Sequence, residues 1–169
     1  MFNTVKQYLS TIGAMNDKLA LVPVLSAIAD RMSSQATSTA GLVIFGAASP
    51  LAKTGAAAFA GVANSVPVAI SASTTLPALT GINTTAAGRF VIAAFFIDAA
   101  SVMTVLGGGE GATLATATFP QFPVGKALVG YLVITNGGGA FTGGTTALDT
   151  ATTVFVSPVG AVDPSIVLG

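Results

Sequence analysis

Phe90-Val-Ile-Ala-Ala-Phe-Phe-Ile97 is the most apolar stretch of the chain, and it stops at Asp98. Eight residues is a strand's length rather than a helix's, and the run is rich in aromatic and β-branched side chains. Apolar on both faces, it has to be covered on both sides. Working outward, Val102 to Leu106 is a second strand candidate, ended by Gly107-Gly-Gly-Glu-Gly111. Leu128-Val-Gly-Tyr-Leu-Val-Ile-Thr135 is the clearest late strand, closed by Asn136-Gly-Gly-Gly139, and Thr153 to Ser157 is the last. Upstream, Gly41 to Phe45 begins the β grammar. Val66, Val68 and Ile70 alternate with Pro67, Ala69 and Ser71, a half-buried strand whose proline argues for a sheet edge. The glycines read as turns needing positive φ, and so many turn signals favour antiparallel pairing. The expected fold is mainly β: an antiparallel β-sandwich of jelly-roll type over residues 37–169, with an N-terminal α-helical arm over 1–36.

The arm rests on a different period. Val5, Leu9, Ile12, Met15 and Leu19 recur at spacings of three and four, one apolar helical stripe. Pro23 would interrupt a long helix but is tolerated in a first turn, so a second short helix is expected from Val24 to Ser33. Ser33 to Thr39 reads as a polar linker. The arm either packs on its own domain or docks a neighbour.

Charge divides the two parts. Five of the twelve charged residues lie before residue 36, and residues 37–169 hold only Lys53, Arg89, Asp98, Glu110, Lys126, Asp149 and Asp163. That is about 5% of the β-domain, against roughly 25% in an ordinary soluble domain. A surface left to Thr, Ser, Gly and Ala is poorly protected against sticking to other protein, which suits an ordered assembly. With a formal net charge of zero there is no field to draw nucleic acid or an anionic membrane.

The hydropathy requires a membrane reading to be tested. Phe90 to Leu106 gives about 17 residues with Asp98 at its centre, short of the ~20 a span needs, and the carboxylate costs roughly 2.5–3.5 kcal/mol on insertion. Ala56 to Ala72 is broken by Asn64, Ser65 and Pro67. Neither is expected to span. Lys18, Leu19 to Leu25 and Ala27-Ile-Ala29 imitate a secretory leader, but Asp17 and the weakly basic start argue against it.

A catalytic site would have to be assembled from little. There is no histidine and no cysteine, so the commonest general base, the commonest metal ligand and any thiol nucleophile are missing. Asp98, Glu110, Asp149 and Asp163 are scattered, each in or beside a turn, and Asp98 reads as a strand-end carboxylate bonded to nearby backbone N–H groups. Gly107 to Gly111 lacks the spaced Gly-Lys-Ser/Thr of a phosphate loop, and no carboxylate cluster suits calcium. No enzyme, cofactor or metal site is expected.

Phe119-Pro-Gln-Phe-Pro-Val-Gly-Lys-Ala-Leu-Val-Gly-Tyr-Leu-Val-Ile134, leading into Gly139-Ala-Phe-Thr-Gly-Gly-Thr-Thr-Ala-Leu148, resembles a pattern of structural proteins of tailed-bacteriophage heads. Phe95 to Asp98 and Gly109 to Gly111 look like the same group, and the likeness covers roughly residues 88–160. It implies a virion protein, made in the bacterial cytoplasm, that decorates or cements the capsid surface. The implied partners are the major capsid protein and further copies of the chain, a trimer above all, with neither nucleic acid nor membrane. The interface candidates are Val5, Leu9, Ile12 and Leu19 of the arm, or Phe119 and Phe122 of the proline-flanked loop; filling the domain's own core is the competing role for each. The rival reading is a receptor- or carbohydrate-binding module of a head fibre or tail. It wants exposed aromatic platforms, and the chain has two tyrosines, Tyr8 and Tyr131, and no tryptophan.

Overall fold

The computed structural model describes residues 17–161. Within them one α-helix, α1 (Asp17–Ser33), precedes the strands β1 (Gln35–Ala36), β2 (Val43–Ile44), β3 (Ala52–Lys53), β4 (Phe59–Ala63), β5 (Val66–Ile70), β6 (Phe90–Ile97), β7 (Met103–Gly107), β8 (Ala127–Thr135) and β9 (Thr152–Val156), with a short 3-10 turn at Leu114–Thr116. They form three antiparallel sheets, ordered β1-β4-β5, β2-β3 and β7-β6-β8-β9. The chain is mainly β.

The two strands that are apolar on both faces take the two central places of the four-stranded sheet, where both faces can be covered. Val91, Ala93, Phe95 and Ile97 of β6 point into one core, together with Phe59, Val68 and Ile70 of the three-stranded sheet. Phe90, Ile92, Ala94 and Phe96 point the other way, into a second core. No strand covers that second face among the described residues; the segment 114–122 does, through Leu114, Ala117, Phe119 and Phe122. Val68 and Ile70 face inward and Val66 is exposed, with Pro67 on the edge strand β5. An edge position spares the sheet the N–H that proline lacks.

β8 does not keep a single alternation. Ala127 and Val129 face the first core, yet so do Leu132 and Ile134, while Leu128, Tyr131 and Val133 face the second. The change of parity occurs where Phe96 pairs with Leu128 and Phe95 with Gly130, leaving Val129 as the extra residue of a β-bulge. Gly130 makes the bulge possible. A Cβ there would stand 2.6 Å from both Leu42 Cδ1 and the Val156 carbonyl oxygen.

The connections follow local chemistry. Asn64 and Ser65, at φ +49° and +64°, form the two-residue turn between β4 and β5, the conformation that matches strand twist. Asp98 closes the β6–β7 turn by accepting the N–H groups of Ala100 (3.0 Å) and Val102 (2.9 Å).

Three expectations need correction. α1 runs unbroken through Pro23, with no second helix beginning at Val24. A proline there forfeits one helical N–H bond but does not end the helix. The stretch read as a linker contributes β1, because Gln35 and Ala36 pair with Val62 and Gly61. Gly107 to Gly111 are not positive-φ glycines. Neighbouring atoms crowd them instead: a Cβ on Gly108 would overlap the Thr118 carbonyl and one on Gly111 the Ala117 nitrogen, while Gly107 faces the Ile82 side chain and Gly109 the Thr118 hydroxyl.

Candidate interaction surface

Four carboxylates have described side chains, and each accepts a backbone N–H. Asp30 takes Gly125 N at 2.7 Å, Asp98 takes Ala100 and Val102, Glu110 takes Thr85 N at 3.1 Å and Asp149 takes Ala48 N at 2.7 Å. Asp98 acts within its own turn, whereas Asp30, Glu110 and Asp149 tie together segments distant in the chain. The Val102 N–H is the main influence holding Asp98 below the ordinary carboxylate range; burial, second in size, opposes it, and Ala100 and Lys126, whose Nζ is 3.7 Å away, add to the lowering. Among the described residues no three His, Cys, Asp or Glu side chains lie close enough together to hold a metal ion. No helix there is long and apolar enough to cross a membrane.

The corner where α1 meets the loop 119–125 is organised differently. Phe122 meets Phe96 edge-on at 5.3 Å and stacks on Phe119 at 5.5 Å, and Phe119 meets Tyr131 edge-on at 5.3 Å. Offset and edge-on pairs suit the ring quadrupoles. The Arg31 guanidinium lies 4.2 Å above the centre of the Phe122 ring, and Nη2 also reaches the Pro123 carbonyl at 3.4 Å. Arg31 is paired with Asp30, whose other oxygen holds Gly125. These two charged residues of the last turn of α1 thus fasten the helix to the loop. Gly125 sits at φ +73°, which glycine adopts without strain.

Two open grooves flank the loop. One, of about 310 Å³, lies between α1 and the loop, lined by Pro23, Ala27, Arg31, Phe122 and Val124. The other, of about 460 Å³, lies between the loop and β7, lined by Leu106, Pro120, Phe122, Pro123 and Val124. Val124, on the ridge between them, is 86% exposed.

The candidate residues fall out as follows. Phe119 and Phe122 are half-buried against the second core of their own chain, at the floor of this corner rather than its rim. Leu19 belongs to α1, but its side chain is not among those described; Val5, Leu9 and Ile12 lie outside the described residues. The sequence reading missed the larger feature of α1. Val22, Leu25, Ile28 and Met32 are all exposed, and the side of the helix that meets the loop carries Ala27, Asp30 and Arg31. The signal was available in part, since Leu25, Ile28 and Met32 stand at helical spacing. Tyr131 is buried, its hydroxyl pushed above the usual phenol range by desolvation, so it offers no platform to a sugar ring.

Comparison with protein-family models, curated proteins and solved structures finds no match to this chain.

Proposed function

We propose that this chain is a structural virion protein that binds the outside of a bacteriophage capsid as a decoration or cement protein, working as a homo-oligomer, a trimer in the simplest case. The observation that carries the reading is how the few charges are used. The three β-domain carboxylates with described side chains, Asp98, Glu110 and Asp149, each accept a backbone N–H, and most of the remaining surface is Thr, Ser, Gly, Ala and exposed valines. Such a surface can be covered by protein while burying few ions. The resemblance of residues 88–160 to tailed-phage head proteins points the same way. We take the core shared by the three-stranded and four-stranded sheets as that of a jelly-roll-like β-sandwich, with α1 as part of a helical arm that docks a neighbour.

The mechanism is stabilisation by added contact. A protein that binds only the assembled shell raises its stability by mass action. Repetition of the contact over the lattice lets modest affinity at each site suffice. The test is co-sedimentation of the purified chain with shells assembled in its absence, followed by thermal disruption of the shells. Saturable binding together with a raised disruption temperature is the expected result. Chain that stays in the supernatant at tens of micromolar would overturn the proposal. The receptor- or glycan-binding alternative receives no support from Tyr131, which faces the interior.

A further inference from the structure

β8 runs out into Asn136-Gly-Gly-Gly139. A Cβ on any of these three glycines would meet nothing within 4 Å, and Gly137 and Gly138 have no positive φ, so packing does not require glycine at either. Both are exposed. Asn136 is fastened at their base, only 6% exposed: its backbone carbonyl accepts Gly88 N at 2.6 Å and its side-chain Oδ1 accepts Gly138 N at 3.2 Å. An asparagine followed by glycine carries a reaction of its own. The backbone nitrogen of the following residue attacks the side-chain Cγ, and glycine, lacking a Cβ, leaves that nitrogen unshielded. Of the described asparagines only Asn136 precedes a glycine. Asn64 precedes Ser65, whose N–H is engaged by Ser33 O at 2.8 Å, and Asn83 precedes Thr84, whose N–H is engaged by Phe141 O at 2.9 Å. Gly137 N has no acceptor among the described residues. The donor on Asn136 Oδ1 is aimed at the oxygen on which negative charge develops when Cγ is attacked.

We propose that Asn136 and Gly137 form a self-modifying site, at which the folded chain converts a side-chain amide into a carboxylate without an enzyme. Gly137 N, giving its proton to solvent base, forms a bond to Asn136 Cγ. The Cγ–Nδ2 bond breaks and ammonia leaves, closing a succinimide ring. Water then opens the ring in one of two ways. Cleavage of the new bond from nitrogen to Cγ gives aspartate. Cleavage of the original peptide bond between the two residues gives isoaspartate, in which the main chain runs through the former side chain. Water and base are the only co-reactants, and nothing is oxidised or reduced. The surroundings suit both products. A carboxylate at position 136 keeps the Gly138 N–H, now as a charge-assisted bond. The open glycines leave room for the extra main-chain methylene of isoaspartate. The formal net charge passes from zero to minus one, in a region where residues 37–169 hold only seven charged side chains. The inference goes beyond the capsid reading and does not rest on it.

The experiment holds the full folded chain in mildly alkaline buffer at body temperature for several weeks and follows it by peptide mass mapping. The peptide carrying Asn136 should first lose the mass of ammonia and then gain that of water, while Asn64 and Asn83 stay intact. Labelling with an isoaspartate-specific methyltransferase should mark the same peptide. Gly137→Ala should keep the far-UV spectrum, since its Cβ meets nothing, and slow the conversion about tenfold through the methyl beside the attacking nitrogen. Conversion within the folded state should proceed at the same rate in urea concentrations below the unfolding transition, whereas conversion through an opened chain follows the population of that chain. An Asn136 that stays intact in the folded chain while the urea-unfolded chain converts would overturn the proposal. So would a rate that climbs with urea below the transition, a Gly137→Ala chain that converts as fast as the wild type, or equal conversion at Asn64 or Asn83.

Discussion

The fastening of α1 depends on a contact that can be weighed by itself, that of Arg31 with Phe122. The guanidinium carbon is 4.2 Å from the ring centre, inside the ~6 Å over which a cation is held by an aromatic face. Exposed pairs of this kind contribute about 0.5–1 kcal/mol and desolvated ones about 2. Arg31 is 14% exposed but shares its charge with Asp30, which reduces what the ring can gain. A coupling of about 1 kcal/mol is therefore expected. The test is a double-mutant cycle of Arg31→Met, which keeps the stem, and Phe122→Leu, which keeps apolar bulk. The four proteins are unfolded in urea at neutral pH. The single changes carry other losses, including the Pro123 bond of Arg31 and the edge-on contact of Phe122 with Phe96. Those losses cancel in the cycle, leaving the pair. Added salt should change the coupling little, because the contact is largely shielded from solvent. A coupling within about 0.3 kcal/mol of zero, near the error of additivity, would refute the view that the cation on the ring anchors the helix.

Other perturbations probe the sheet and its turns. Gly130→Ala should destabilise by about 1–3 kcal/mol in the same urea assay, because the new Cβ meets the Val156 carbonyl as well as Leu42 and only the latter can move aside. A neutral or stabilising result would mean that β9 is not held where described. Asp98 has a folded pKa below its ordinary 3.8, so its bonds to Val102 and Ala100 stabilise the fold above that value, and this is lost as pH falls through the folded pKa. Asp98→Asn should accordingly flatten the loss of stability as pH falls below the ordinary 3.8, seen as Tm against pH. Tyr131 should ionise later than free tyrosine, whose pKa is near 10.0, when absorbance is followed at alkaline pH in a Tyr8→Phe background. Because its folded pKa is raised, its contribution to stability is complete below pH 10 and lost above it. Ionisation at the ordinary value would place its hydroxyl in water.

Much of the central sheet was legible. A run such as Phe90–Ile97 has only one stable place, inside a sheet covered on both sides, and Pro67 could stand only at an edge. The bulge in β8 was hidden for the same reason the strand was plain. When residues on both faces are apolar, a change of phase at Val129 leaves no mark in the hydropathy pattern. The two-residue strand β1 was hard to read because a partner far along the chain defines it, Gln35 pairing with Val62, and β3 because two residues make no pattern, although it pairs with the nearby β2. For the corner, spacing announced an apolar stripe near Leu25 and Ile28 but not which way it would face. Its direction is decided by Asp30 and Arg31 reaching Gly125 and Phe122, some ninety residues away. Phe119 and Phe122 stood out as bulky residues each followed by a proline, and no local signal told floor from rim.

The two cores differ in how far along the chain their members come from. The first gathers residues from Ala36 to Ala151, whereas the second takes everything from Phe90 to Val133 with Val156 as its one distant member. Closing loops of a few tens of residues costs less entropy than closing loops of a hundred. The hairpin β6–β7, the aromatic loop and β8 can therefore meet first, and the three-stranded sheet can then dock on a platform already formed. Conservative truncations of Ile92, Phe96 and Leu128 should slow folding, while those at Phe59 and Ile70 should mainly speed unfolding. The face that no strand covers would then be the part of the molecule that folds earliest.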